Sequence, residues 1–392
     1  MQILLSAGEA SGDTYGAQMI DALRQLAPEA AFFGMGGEKM QASGCELLVH
    51  ANEVAVVGLV EVVKHLPAIR RRFKHLLAEA ARRKPDAAVL IDFPDFNLRL
   101  ARELHKLGIP VFYFVSPQIW AWRTGRVKQI KKYVRKMIVI FPFEQEFYRR
   151  HGVEVSYVGH PLAHAPQPQA SRPAIAAEYG LDPAKEWIAL LPGSRQKEVR
   201  LNLPAILGAA DLLQKQGNDY EYLLPVASTL QKDWMREQIA ASPHKANVTL
   251  LENARVTMML SRASVVASGT ATVEAALSGT PFVVVYRVAP ITWLLGRRLV
   301  SLDTFAMPNL IAGRRVVTEL IQRDFTPESV VRELKAIIPD TPARRQMQAD
   351  LREVRDRLND SRLSEGRQDE RPGGEAPVLR AAREIMAALR AG

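Results

Sequence analysis

Short apolar, β-branched runs alternate along this chain with longer stretches of helical periodicity, the pattern of βαβ units that assemble parallel sheets. In the first half the pattern predicts strands over 3–6, 31–34, 87–91, 111–115, 137–140 and 155–157, with helices over 15–26, 96–107 and 125–134. The rhythm repeats in the second half, with strands over 187–191, 220–224, 248–250, 264–267 and 282–285 and helices over 200–215 and 271–277. A last amphipathic helix is predicted over 378–389. Between the halves, 164–173 carries three prolines and no predicted element, so it reads as a linker.

The expected fold class is therefore α/β: two Rossmann-like domains, 1–163 and 174–345, facing across a cleft, followed by a charged C-terminal helical arm, 346–392. The arm includes Pro372-Gly373-Gly374 and is expected to pack on the first domain or on a partner subunit. Ligands of such sheets bind beyond the carboxyl ends of the strands, where loops meet helix N-termini.

The first strand runs into Ser6-Ala7-Gly8-Glu9-Ala10-Ser11-Gly12-Asp13, a small-residue turn with the wrong glycine spacing for a dinucleotide fingerprint. Its Glu9, Ser11 and Asp13 suit hydroxyls better than a pyrophosphate. Asp92-Phe93-Pro94-Asp95-Phe96-Asn97 follows another strand, and a carboxylate there suits a base that deprotonates an attacking hydroxyl. Asp95 reads equally well as a helix N-cap. Asn97, together with Gln118 and Trp120 of the aromatic loop 116–123, completes the candidate sugar-binding set; core packing explains the tryptophans as readily.

In the second half, Pro192-Gly193-Ser194-Arg195 offers backbone N–H groups and a guanidinium to a diphosphate leaving group. Ser268, Gly269, Thr270 and Ala271 form a second such turn, and Glu274 reads either as a ribose ligand or as a charge favouring the helix dipole. Met307-Pro308-Asn309 is a polar interruption before an apolar helix. Val56, Val60 and Val63 with Arg70, Arg71 and Arg72 read either as core plus surface charge or as a membrane-contact segment.

Composition narrows the partners. Apolar residues make up 47% and charged residues 24%, ordinary for a globular protein, and no stretch approaches the roughly 20 apolar residues of a membrane span. The net charge of +10 favours an anionic partner. A purely electrostatic binder of lipid or nucleic acid would leave the polar strand-end loops unexplained, so nucleic acid is not expected. The single cysteine, Cys45, points to a reducing compartment, and no targeting segment is expected at the N-terminus. Eight histidines without ligand spacing, His160 among them, and the absence of any D-x-D give no metal site.

Taken in order, the segments 7–13, 57–62, 91–97, 116–123, 141–144, 159–161, 191–195, 268–274 and 308–313 resemble one family, the lipid A disaccharide synthases. The resemblance implies a GT-B fold and an inverting, metal-independent and cofactor-free transfer. The sugar of UDP-2,3-diacylglucosamine would pass to the 6-hydroxyl of 2,3-diacylglucosamine 1-phosphate. It further implies that Asp92 is the essential carboxylate and that Arg195, Glu274 and Asn309 line the UDP site. A cytoplasmic, peripheral place at the inner-membrane surface and pairing as homodimers follow from the same resemblance. The rival within the same architecture is a UDP-sugar 2-epimerase.

Overall fold

The computed structural model describes residues 1–54, 59–122, 124–288, 304–359 and 375–391, with side chains omitted over 59–65, 121–122 and 124. The chain divides into two compact units. The first takes Met1–His164 together with the chain from Leu358 onward; the second takes Ala165–Arg357.

The first unit holds a seven-stranded parallel sheet of β1 (Gln2–Ala7), β2 (Ala31–Gly36), β3 (Cys45–His50), β4 (Ala87–Ile91), β5 (Val111–Phe114), β6 (Lys136–Val139) and β7 (Val155–Tyr157). Their order is β3-β2-β1-β4-β5-β6-β7. Every residue of β4 is buried, as expected of a parallel strand covered on both faces. Successive residues go to opposite faces: Leu4, Ala88, Leu90 and Tyr113 join one apolar cluster, while Ile3, Leu5, Val89 and Phe112 join the other.

The second unit holds a six-stranded parallel sheet of β8 (Glu186–Leu191), β9 (Tyr220–Pro225), β10 (Val248–Leu251), β11 (Ala263–Ala267), β12 (Phe282–Tyr286) and β13 (Glu319–Ile321). The order here is β10-β9-β8-β11-β12-β13. The eleven expected strands are present; β3 and β13, both at sheet edges, were missed.

The ends of the chain differ from the expected layout. Helix Pro342–Asn359 belongs to the second unit as far as Arg357, so residues 346–357 are not part of a separate arm. Helix Pro377–Arg390 packs on helix Ala10–Leu26 of its own chain. It buries Val378, Ala381, Ala382 and Ile385, the larger two contributing roughly 1.5–3 kcal/mol each. Glu384 accepts hydrogen bonds from Lys136 Nζ at 2.6 Å and Ser156 Oγ at 2.9 Å, fixing its register. The chain thus passes between units twice, after His164 and after Arg357. The proline-rich 164–173 is bracketed by helices Pro161–His164 and Arg172–Tyr179.

Candidate active site

In an open parallel sheet the strand order reverses at one point, and the two loops leaving that point open a crevice. In the first unit the reversal lies between β1 and β4, which pair in register from Ile3↔Ala87 to Ala7↔Ile91. Glu9 follows β1 and Asp92 follows β4, so the topology brings these two carboxylates together. Asp92 is half-buried. Burial, and then the charge of Glu9, push its carboxyl up to about 6.

The Asp92 turn is held in an unusual backbone shape. Asp92 (φ 46°) and Phe93 (φ 50°) are consecutive left-handed residues, each a conformation costing about 1–3 kcal/mol unless the surroundings impose it. Here they do. The Asp92 carbonyl accepts from Tyr113 Oη at 2.6 Å and from Asn97 Nδ2 at 2.8 Å, and its N–H donates to the Phe114 carbonyl. Gly8 makes room for Phe93, because a β-carbon at position 8 would stand 2.3 Å from the Phe93 ring.

Several residues expected to touch sugar do other work. Asn97 is fully buried. Its amide donates to the carbonyls of Ser6, Ile91 and Asp92, and its oxygen accepts from Ser6 Oγ. Asn97 is therefore a positioning residue that ties the ends of β1 and β4 together. Asp13 is buried and caps helix Glu38–Ala42, accepting from the N–H groups of Gly37, Lys39 and Met40. Asp95 is not the N-cap, a place taken by Phe93; it stands exposed in the first turn, paired with Arg126. Glu9, Ser11 and Gln118 are exposed at this rim.

Trp120 packs edge-on against Phe143 and donates through Nε1 to Glu144 at 3.2 Å. Glu144 received no role from the sequence, yet it is buried and its carboxyl is pushed up to about 8 by desolvation. His160 is also buried, packs at a tilt against Phe141, and is driven down to about 3 by burial, so it is a neutral packing residue at neutral pH.

In the second unit the strand order reverses between β8 and β11, paired from Ile188↔Ala263 to Leu191↔Val266. Gly193, Ser194 and Arg195 follow β8; Ser268, Gly269, Thr270 and Ala271 follow β11. Gly193 (φ 127°) and Gly269 (φ 144°) adopt conformations that L side chains rarely take. Ser194, Arg195, Gly269 and Thr270 are exposed, and helix Ala271–Ser278 begins without a side-chain cap. Glu274 is half-buried, its carboxyl raised by desolvation and partly drawn back by Arg255.

Asn309 departs from expectation as Asn97 did. It is buried and fully bonded, donating to the Val317 carbonyl and Glu319 and accepting from the N–H groups of Val316 and Val317. It shapes the approach to β13 and presents no free polar atom to a nucleotide. Asn202, missed in the sequence, does the same for β8: it donates to the Pro192 carbonyl and accepts from the Arg287 N–H.

The segment expected at a membrane is only partly described. Arg70 and Arg71 are exposed on helix Leu59–Arg83, and Arg72 pairs with Glu53. Val56 and the side chains of Val60 and Val63 lie outside the described residues. Among the described residues no group of three or more His, Cys, Asp or Glu could hold a metal, and no helix is long and apolar enough to cross a membrane.

Two parallel sheets, each with polar turns at its own switch point, are the architecture of the GT-B fold. The glycotransferase of kitacinnamycin shares this fold at TM-score 0.63 and 14% identity, covering 99% of this chain and 98% of that one. The UDP-GlcNAc 2-epimerase of Neisseria meningitidis does so at TM-score 0.59 and 12% identity, covering all of both chains. These likenesses carry the fold alone.

The family is set by sequence. The chain belongs to the lipid-A-disaccharide synthetase family, whose model matches residues 3–369. The lipid-A-disaccharide synthase of Koribacter versatilis is 57% identical over 93% of this chain and 95% of its own length. Those of Acidobacterium capsulatum (53%; 91% and 92%) and Geobacter sulfurreducens (42%; 93% and 94%) are similarly matched. The epimerase alternative is left with a distant structural likeness only.

Proposed function

We propose that the chain transfers 2,3-diacylglucosamine from UDP to the 6-hydroxyl of 2,3-diacylglucosamine 1-phosphate, with Asp92 as the general base. The observation that carries this reading is Asp92 itself. It is a half-buried carboxylate at the switch point of the first unit, raised to about 6, on a strained turn where its own N–H and carbonyl are both engaged. A carboxylate raised toward neutrality is a stronger base while remaining largely ionised at pH 7. Asp95 is exposed and its carboxylate is paired with Arg126, so it lacks the burial that supports that role.

The second unit supplies the leaving-group side. Ser194, Arg195 and the turn from Ser268 to Ala271 present N–H groups, hydroxyls and one guanidinium, a set suited to UDP and to the charge that grows on it as it departs. Glu274 on the following helix would take the ribose hydroxyls. Glu9, Ser11 and Gln118 remain the acceptor-side candidates. The exposed Arg70 and Arg71 support an association with anionic lipid headgroups, each basic residue adding about 1 kcal/mol near such a surface. The same reading places the enzyme at the cytoplasmic face of the inner membrane and pairs it as a homodimer.

The test is UDP release from UDP-2,3-diacylglucosamine in detergent with EDTA, with and without 2,3-diacylglucosamine 1-phosphate. Release that requires the acceptor is expected. Release without it would make the chain a hydrolase of the donor, and no release would remove the proposed substrates. Flotation with anionic liposomes, reduced when Arg70, Arg71 and Arg72 are changed to Gln, tests the membrane association; unchanged flotation would return those residues to plain surface.

A further inference from the structure

The donors assigned above to a diphosphate are already in contact with an anion that belongs to the protein. Glu198 lies one turn into helix Gln196–Lys215, and its Oε2 accepts from the Ser194 N–H at 3.2 Å and the Arg195 N–H at 3.3 Å. Its Oε1 stands 3.6 Å from Arg195 Nη1. Gly193 leaves space for it: a β-carbon there would stand 2.8 Å from Glu198 Cβ and 2.9 Å from Oε2. The two backbone donors, the guanidinium and the bare glycine thus converge on one carboxylate.

We propose that Glu198 is an internal competitor for the nucleotide's phosphates, holding the β8 turn in shape in the free enzyme and giving up those donors when UDP binds. The proposal rests on the assignment of this turn to UDP and deepens it. Two N–H groups that donate to one carboxylate can donate to a phosphate oxygen in the same place, because carboxylate and phosphate are both compact anions with lone pairs in similar directions. Both cannot occupy it together, since like charges at contact repel. A carboxylate on these donors keeps an exposed helix start satisfied when no ligand is present and lowers net affinity for UDP, which favours product release.

A helix cap alone makes a different prediction. If Glu198 only satisfies the turn, its removal lowers stability and leaves UDP affinity unchanged or weaker. If it competes, removing its charge tightens UDP. The experiment is calorimetric titration of UDP into wild type, Glu198→Gln, Glu198→Asp and Arg195→Ala, with thermal melting of each. Glu198→Gln is expected to bind UDP at least about tenfold more tightly, the worth of one charge-assisted hydrogen bond no longer in competition. It should also lower KM for the donor while slowing product release.

Glu198→Asp keeps the charge at the helix start but withdraws its reach, so it should fold even if the Gln variant does not and should also bind UDP more tightly than wild type. Equal or weaker binding in both variants, with Arg195→Ala weakening UDP as expected, would overturn the proposal and leave Glu198 a cap. Arg195→Ala with unchanged UDP affinity would instead overturn the assignment of UDP to this turn.

Discussion

The two units solve one architectural problem with opposite chemistry. Each places its candidate turns where the strand order of a parallel sheet reverses, between β1 and β4 in the first and between β8 and β11 in the second. The first rim is acidic, with Glu9, Asp92 and Asp95; the second offers glycines, hydroxyls and Arg195. Their backbones differ for the same reason. The first unit needs a side chain at the turn, so Asp92 and Phe93 take left-handed conformations that an L residue resists. The second presents backbone N–H groups rather than a side chain, so Gly193 and Gly269 stand there at no steric cost. Buried asparagines brace both rims, Asn97 in one and Asn202 in the other.

The sharpest way to break this contrast is to remove the carboxylate. Asp92→Ala should lower kcat about a hundredfold or more, while Asp95→Ala should cost less than about tenfold. Equal losses in steady-state assays would make the acidic rim a shared field rather than a single base.

The bracing is tested next. Asn97→Ala removes the acceptor of Ser6 Oγ and one donor from each of three strand-end carbonyls, and Asn309→Ala strands the N–H groups of Val316 and Val317 and takes one donor from Glu319. Each should cost about 2–3 kcal/mol in denaturant melts. Asn97→Ala should also lower kcat by releasing the Asp92 turn, with KM for UDP-sugar little changed. A variant that melts as wild type would show that its asparagine is not needed to hold the strand ends.

The last effect concerns the Asp92 proton. A base with its pKa near 6 predicts that kcat/KM rises with pH through about 6 and then levels. Folding stability runs the other way. A carboxyl raised in the folded state keeps its proton more readily there than in the unfolded chain, so its contribution is complete below about pH 4 and is lost as pH rises through about 6. Asp92→Asn should therefore melt higher than wild type at pH 7.5, by at most about 3 kcal/mol, and lose that advantage near pH 4. An inactive variant with no gain in stability at neutral pH would argue against the raised pKa.

Much of this architecture is legible in the sequence. Eleven strands followed from apolar runs, because a strand covered on both faces has little choice of residue. β3 was missed because Cys45, Glu46 and Leu47 do not make a clean run, and β13 because three residues carry no period. The turns carrying Asp92, Gly193 and Gly269 were found from small and acidic residues at strand ends. Polar side chains were harder. Asn97, Asn309 and Asp13 read as ligands of sugar or nucleotide because sequence does not reveal which way a polar group points, and only the folded chain supplies the three or four partners that occupy each. Glu198 went unread for the complementary reason: its i+3 spacing from Arg195 is a capping-box pattern, easily passed over when the arginine holds the attention.

The return of the chain to the first unit has a consequence for synthesis. Translation from the N-terminus delivers all of Ala165–Arg357 before helix Pro377–Arg390 exists. Until that helix emerges, the face of helix Ala10–Leu26 that it will cover stays open, and Lys136 and Ser156 lack Glu384. The unit that begins first is therefore the unit completed last.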